Sequence, residues 1–198
     1  MDDLLGYTSY NRLNTALSVL FSQTQCPTLI INKNTMTPSI TSLPETNLIG
    51  KKVRMNFLNN QVQQLWKSFM PRKKEILNSI GNDLYSVEVY DSLSYFDSFN
   101  PATVFDKWAA VKVTDLETIP DGMEKLIIPS GLYAVFTFTG TDNEAPAMYQ
   151  YIIGSWIPSS SYELDLRPHF ALMGEKYKNN DPDSEEEFWI PIKPKSDE

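Results

Sequence analysis

Leu65-Trp-Lys-Ser-Phe-Met-Pro71 is echoed 87 positions further on (65 to 152) by Ile152-Ile-Gly-Ser-Trp-Ile-Pro158. In the first copy Val62, Leu65, Trp66 and Phe69 fall at i, i+3, i+4 and i+7, which places them on one side of a helix. Tyr149, Ile152, Ile153 and Trp156 repeat that stripe at the same offset. Each stripe follows a start signal. Asn59-Asn60 opens the first helix, with Gln63 three residues after Asn60 as in a capping box. Asp142-Asn143 opens the second, and its first turn tolerates Pro146, whose missing N–H would be unpaired there in any case.

Strands flank both helices. Residues 39–57 read as extended chain broken near Pro44, and segments 84–90 and 107–114 follow the first helix as strands. Gly131-Leu-Tyr-Ala-Val-Phe-Thr-Phe-Thr-Gly140 is dense in aromatic and β-branched residues, as a strand should be; further strands are expected near 167–173 and 187–192. The sequence thus predicts an α+β fold made by duplicating a strand-helix-strand-strand unit, over about 39–115 and 123–193. The units would form antiparallel sheet with two main helices and a groove at the pseudo-two-fold axis. Ligand sites favour such junctions.

Composition narrows the function. A net charge of −8 over 198 residues repels phosphate backbones, so direct nucleic-acid binding is not expected. The basic runs Lys51-Lys-Val-Arg54 and Arg72-Lys-Lys74 read as solvated faces of a strand and a helix. The single cysteine, Cys26, allows no intrachain disulfide and suits a reducing compartment. The apolar run Ala16-Leu-Ser-Val-Leu-Phe21 is too short to span a bilayer and lacks the flanks of a signal peptide, so a cytoplasmic protein without membrane contact is expected. Residues 1–37 form an arm of unassigned role, with a helix over 10–24 and a short strand near 28–31. The arm is too short for paired helix-turn-helix units. The ligand-binding domain is expected over 38–195.

Several stretches, in this order and spacing, resemble the gyrase-inhibitor-like effector-binding domain of AraC-type regulators, which is related to the SOUL fold. They are Leu43-Pro-Glu-Thr-Asn-Leu-Ile-Gly-Lys-Lys-Val-Arg-Met55, Leu65-Trp-Lys-Ser-Phe69, Asp83-Leu-Tyr-Ser-Val-Glu-Val-Tyr90, Ile119-Pro-Asp-Gly-Met123, Gly131-Leu-Tyr-Ala-Val-Phe136, Arg167-Pro-His-Phe170, Gly174-Glu-Lys-Tyr177 and Asp181-Pro-Asp-Ser-Glu-Glu-Glu-Phe-Trp-Ile-Pro191. The resemblance implies binding of hydrophobic, often cationic, small molecules in an aromatic groove; some relatives hydrolyse cyclopropane-containing compounds. Members commonly place a groove glutamate where this chain has Ala171. That departure weakens both the cation-binding and the hydrolase readings.

Alternation along each strand assigns faces. It sets Tyr85, Val87 and Val89 under the helix, leaving Glu88 and Tyr90 toward the groove. Ala109, Val111 and Val113 are core, with Trp108 opposite; Phe188, Ile190 and Ile192 are core, with Trp189 opposite. Phe170 and Leu172 share one face of their strand, Ala171 and Met173 the other. The duplication makes Trp108 and Trp189 equivalent. A groove walled by Trp108, Trp189, Tyr133, Tyr90 and Met173 is therefore expected, with Ala171 in it, an edge of Trp66 reaching it and Glu88 as its carboxylate in place of the one missing at 171. Aromatic walls suit planar guests or cations.

No catalytic residue, metal or cofactor is expected. His169 is the lone histidine, Cys26 lacks a supporting motif, and Asp181-Pro-Asp-Ser-Glu-Glu-Glu187 lacks the glycine of a calcium loop. The expected partner is a hydrophobic, cationic or planar aromatic small molecule. A protein-interaction module acting on a regulatory partner such as gyrase is the alternative.

Overall fold

The computed structural model describes residues 37–97, 100–141, 144–178 and 181–196. The helix and strand expected before residue 37, and the Asp142-Asn143 start signal, lie outside them. The first unit comprises β1 (Ser39–Leu43), β2 (Thr46–Met55), α1 (Val62–Phe69), β3 (Leu84–Val89) and β4 (Phe105–Lys112). The second comprises β5 (Glu124–Ile128), β6 (Gly131–Thr139), α2 (Ala145–Tyr151), β7 (Tyr162–Leu164), β8 (His169–Met173) and β9 (Glu185–Pro194). The fold is α+β, and the strand-helix-strand-strand order occurs twice, as β2-α1-β3-β4 and β6-α2-β8-β9. Sequence reasoning did not anticipate β5 or the three-residue β7.

The N-cap of α1 is Gln61 rather than Asn60, but the Asn60 side-chain oxygen accepts the amide of the first helical residue, Val62, at 2.9 Å. At the start of α2, Glu144 turns back and accepts the Thr141 amide at 2.8 Å. The helices end differently. α1 tightens into a 3-10 turn over Met70–Glu75, whereas α2 widens into a π turn over Ile152–Trp156, where the Ile157 amide reaches back to the Ile152 carbonyl.

All strand pairs are antiparallel, in the order β1-β6-β9-β8-β3-β4-β2-β5, with β7 also beside β9. The two ends of this path are the same ribbon. β1 runs into β2 after two residues and β5 into β6 after two, and both pairings keep one register: Leu43 faces Gly131 and Thr46 faces Ile128. The sheet is therefore rolled, and its two faces have different fates.

The outer face carries the helices. α1 covers Ile49, Met55, Phe105, Ala109 and Val111 with Leu65, Trp66 and Phe69. Met148, Tyr149 and Ile152 of the second helical stretch cover Ala134, Phe136, Phe188 and Ile190. Burying each of these large side chains contributes on the order of 2–3 kcal/mol. The inner face closes on its own side chains: Leu48, Tyr85, Val87, Trp108, Ala110, Tyr133, Val135 and Phe170 form one buried cluster drawn wholly from strands and strand ends.

The expectation for β3 is corrected here. Tyr85, Val87 and Val89 do not lie under a helix but turn into the roll. Ser86 and Glu88 face the helix side, because their cross-strand partners Ala109 and Lys107 do.

Candidate functional site: the seam between the two helices

One row of the ladder fixes the symmetry. Trp108 pairs with Val87, Val87 with Phe170, and Phe170 with Trp189. The two tryptophans thus stand at matching places about the central Val87/Phe170 pair, as the duplication predicts. One step along on the outer face, Glu88 matches Ala171 and Lys107 matches Phe188.

The residues expected in one groove divide between the two faces. Trp108, Trp189 and Tyr133 lie inside the roll. Glu88, Tyr90, Met173, Ala171 and Trp66 lie on the outer side. A single wall containing both sets does not exist, because alternation sends Trp108 away from its neighbour Lys107, and Lys107 is the partner of Glu88. Trp66 is buried beneath α1, packed edge-on against Phe69 at 6.0 Å.

The inner set is a packed aromatic core. Phe170 stacks on Trp189 with ring centres 5.3 Å apart, and Tyr133 touches both rings at 5.6 and 5.9 Å. The Arg167 guanidinium lies 4.6 Å over Tyr133, while the Tyr133 hydroxyl donates to Pro168 O at 3.1 Å. Gly131 is needed there: its φ is +157°, and a Cβ would stand 2.3 Å from Arg167 Nη1. Lys52 sits over Trp108 at 5.4 Å. Of the three expected groove aromatics inside the roll, only Trp189 stays partly exposed, its indole N–H donating to Glu187 at 2.9 Å.

The outer set forms a seam along β3 and β8, between the two helix-covered cores. Its floor is Ser86 beside Ala171 and Glu88 beside His169, with Met173 at one end. Glu88 and Lys107 are both buried and 2.8 Å apart, Nζ to Oε1. The Tyr90 hydroxyl donates to the other carboxylate oxygen of Glu88. Burial pushes the Glu88 carboxyl upward, but Lys107, Tyr90 and His169 outweigh it and hold its pKa below the usual value. Burial, and then Glu88, raises the Tyr90 phenol well above its ordinary pKa. The Tyr149 phenol of α2 is raised by burial and then by Glu88 and Glu186, which brings α2 into the same electrostatic group.

Aromatic rings close one side. Tyr90 meets Tyr95, Phe96 and Phe105 at 4.3, 4.9 and 5.4 Å. His169 stacks on Phe96 at 5.0 Å and meets Tyr90 edge-on at 5.4 Å. Burial lowers the imidazole pKa to about 4, so His169 is neutral at neutral pH. Two buried polar atoms in this region, Ser86 Oγ and Tyr95 OH, have no hydrogen-bond partner among the described residues. Such orphans are uncommon in native interiors. Among the described residues no group of three or more His, Cys, Asp or Glu side chains is arranged to hold a metal.

Sequence reasoning missed Lys107, Ser86, Tyr95, Tyr149 and the packing of His169. Lys107 was legible in principle: it shares strand parity with Ala109, Val111 and Val113, so it is a lysine on an apolar face.

Comparison with known proteins agrees with this architecture. Residues 36–193 match the GyrI-like small molecule binding domain, and the chain belongs to that family. It is 25% identical over 154 residues to the transcriptional regulator BrlR of Pseudomonas aeruginosa, a match covering 77% of this chain and 54% of the regulator. The chain therefore spans about half the length of that relative. Among solved structures it is similar to SAV2435 bound to tetraphenylphosphonium, with 17% identity, TM-score 0.52, and coverage of 79% of this chain and 93% of the other. It is also similar to the C-terminal domain of EcmrR, with 13% identity, TM-score 0.60, and coverage of 80% and 98%. These two likenesses concern the fold.

Proposed function

We propose that this chain binds a hydrophobic, aromatic small molecule in the outer seam between α1 and α2, over the Ser86/Ala171 pair, and that it serves as the sensing module of a regulatory system. The carrying observation is the orphaned Ser86 Oγ, buried at the middle of the floor beside the smallest side chain of β8. A polar atom left unpaired there is one a guest can satisfy, and the short Ala171 side chain keeps small what a guest must displace. Tyr90, Tyr95, Phe96 and Tyr149 supply aromatic surface nearby. The tetraphenylphosphonium held by SAV2435 and the regulatory role of BrlR support a ligand-sensing reading.

The inner aromatics are a weaker candidate. Tyr133, Phe170 and Trp108 are buried and packed in one cluster, so a guest would have to unpack them even though the Trp108 indole N–H lacks a partner among the described residues. A hydrolytic role is disfavoured as well, because general acid catalysis needs a carboxyl that holds a proton near neutral pH, and Lys107 keeps Glu88 ionised.

A thermal-shift screen of planar aromatic compounds, run on the wild type and on Ala171→Trp, tests the proposal. At 100 times its Kd a seam ligand adds about 2.7 kcal/mol of stability to the wild type. The bulky variant should show no such gain. An equal shift in both proteins would place the ligand elsewhere.

A further inference from the structure

Among the described residues Glu88 is the one carboxylate on the floor of the seam, and both of its oxygens are engaged from within the chain. Lys107 Nζ donates to Oε1 at 2.8 Å and Tyr90 OH donates to Oε2. The ammonium and the carboxylate have side-chain exposures of 4% and 8%, so neither charge leans on bulk water. His169, the adjacent titratable group, is neutral. Glu186, the other buried carboxylate on this side of the sheet, lies two positions along β9 from Phe188, opposite Phe138 and away from the central pair. In the matching half, the places of Glu88 and Lys107 are taken by Ala171 and Phe188. The centre of the seam therefore holds one negative and one positive charge, already joined.

We propose that Lys107 is the resident counter-ion of Glu88, so that the seam selects uncharged guests and turns away lipophilic cations. The inference deepens the seam-binding reading and rests on it. A cation entering the seam must either leave its own charge uncompensated or displace Lys107 and strand a buried ammonium. Both routes cost solvation energy that the guest cannot recover. A neutral aryl compound with one acceptor meets no such penalty, and its acceptor can receive a hydrogen bond from the Ser86 hydroxyl.

The test compares two probes of similar bulk by titration calorimetry: tetraphenylphosphonium, a cation, and triphenylphosphine oxide, neutral with a single acceptor. The wild type should bind the neutral probe at least about tenfold more tightly. Lys107→Met frees the carboxylate and should reverse the order, with a gain for the cation larger than the wild-type preference, about a hundredfold, in the range measured for close charge pairs. Because a lone buried carboxylate destabilises that variant, the double variant Glu88→Gln/Lys107→Met supplies a charge-free seam that needs no ion pair to fold. It should keep the wild-type ratio of affinities, since the two removed charges had cancelled. A cation preference in the wild type, or loss of cation binding in the double variant relative to wild type, overturns the counter-ion assignment. Ala171→Trp separates this from failure of the seam itself: if either probe binds that variant as tightly as wild type, the seam is not where it binds, and both readings fall.

Discussion

The two halves share one architecture and differ in what they bury beside the axis. The first half places Glu88 and Lys107 on the outer face of neighbouring strands, paired across the ladder. The second half places Ala171 and Phe188 at the matching positions, also paired across the ladder. The backbone accepts either solution because a joined ion pair and an apolar pair both leave no net charge in the interior. The difference lies in what happens when one member is lost. An apolar pair loses packing, whereas an ion pair is left with a bare charge, and that contrast can be measured.

The largest expected effect is on Lys107. Lys107→Ala leaves Glu88 buried without its cation and should destabilise the fold by about 3–5 kcal/mol in denaturant unfolding. Copying the second half into the first, with Glu88→Ala/Lys107→Phe, should instead fall within about 1–2 kcal/mol of wild type, since a buried ion pair replaced by packed apolar groups is often neutral. A double variant as unstable as the single one would mean that the halves are not interchangeable.

A second contrast concerns close packing. Gly50 faces Ala110 in the first half, and a Cβ at Gly50 would stand 2.1 Å from the Ala109 carbonyl oxygen. Gly50→Ala should cost about 2–3 kcal/mol through forced separation of β2 and β4, read from the same unfolding curves.

Acidification provides a third. The folded pKa of His169 is near 4, below the unfolded value of about 6.5, so the unfolded chain binds the proton more readily. Stability from this residue is complete above pH 6.5 and is lost as the pH falls toward 4, by about 3 kcal/mol in all. His169→Phe, which keeps the stacking on Phe96, should flatten that part of the pH profile. An unchanged slope would mean the imidazole is not the group responsible.

The smallest effect is expected at Trp108. Its indole N–H is buried with no partner among the described residues, so Trp108→Phe loses area but also removes an orphan. The net change should stay within about 1–2 kcal/mol by thermal unfolding.

Much of this frame was legible in the sequence. The helix stripes could be read because each helix buries one side only. β4 and β9 could be read because their apolar runs, Ala109-Val111-Val113 and Phe188-Ile190-Ile192, stand clear of Trp108 and Trp189. β3 could not. Both of its faces are buried, one inside the roll and one beneath the helices, so the rule that polar residues point outward has no solvent to refer to. Alternation alone puts Glu88 on the groove side with Trp108, whereas the register places it opposite. The roll depends on β1–β2 pairing with β5–β6 across 74 residues (50 to 124) to 96 residues (39 to 135), and no local pattern announces that contact. The site inherited the error, which is why the expected groove mixed residues from two faces.

The most direct test of the seam uses alanine methyl groups, which report on the two faces separately. Ala171, Ala109 and Ala134 lie on the outer side, whereas Ala110 lies inside the roll. With 13C-methyl alanine and triphenylphosphine oxide bound, contacts measured by nuclear Overhauser effect should connect the aryl protons to the Ala171 methyl and leave Ala110 silent. Contacts to Ala110 with none to Ala171 would put the guest inside the roll and contradict the account.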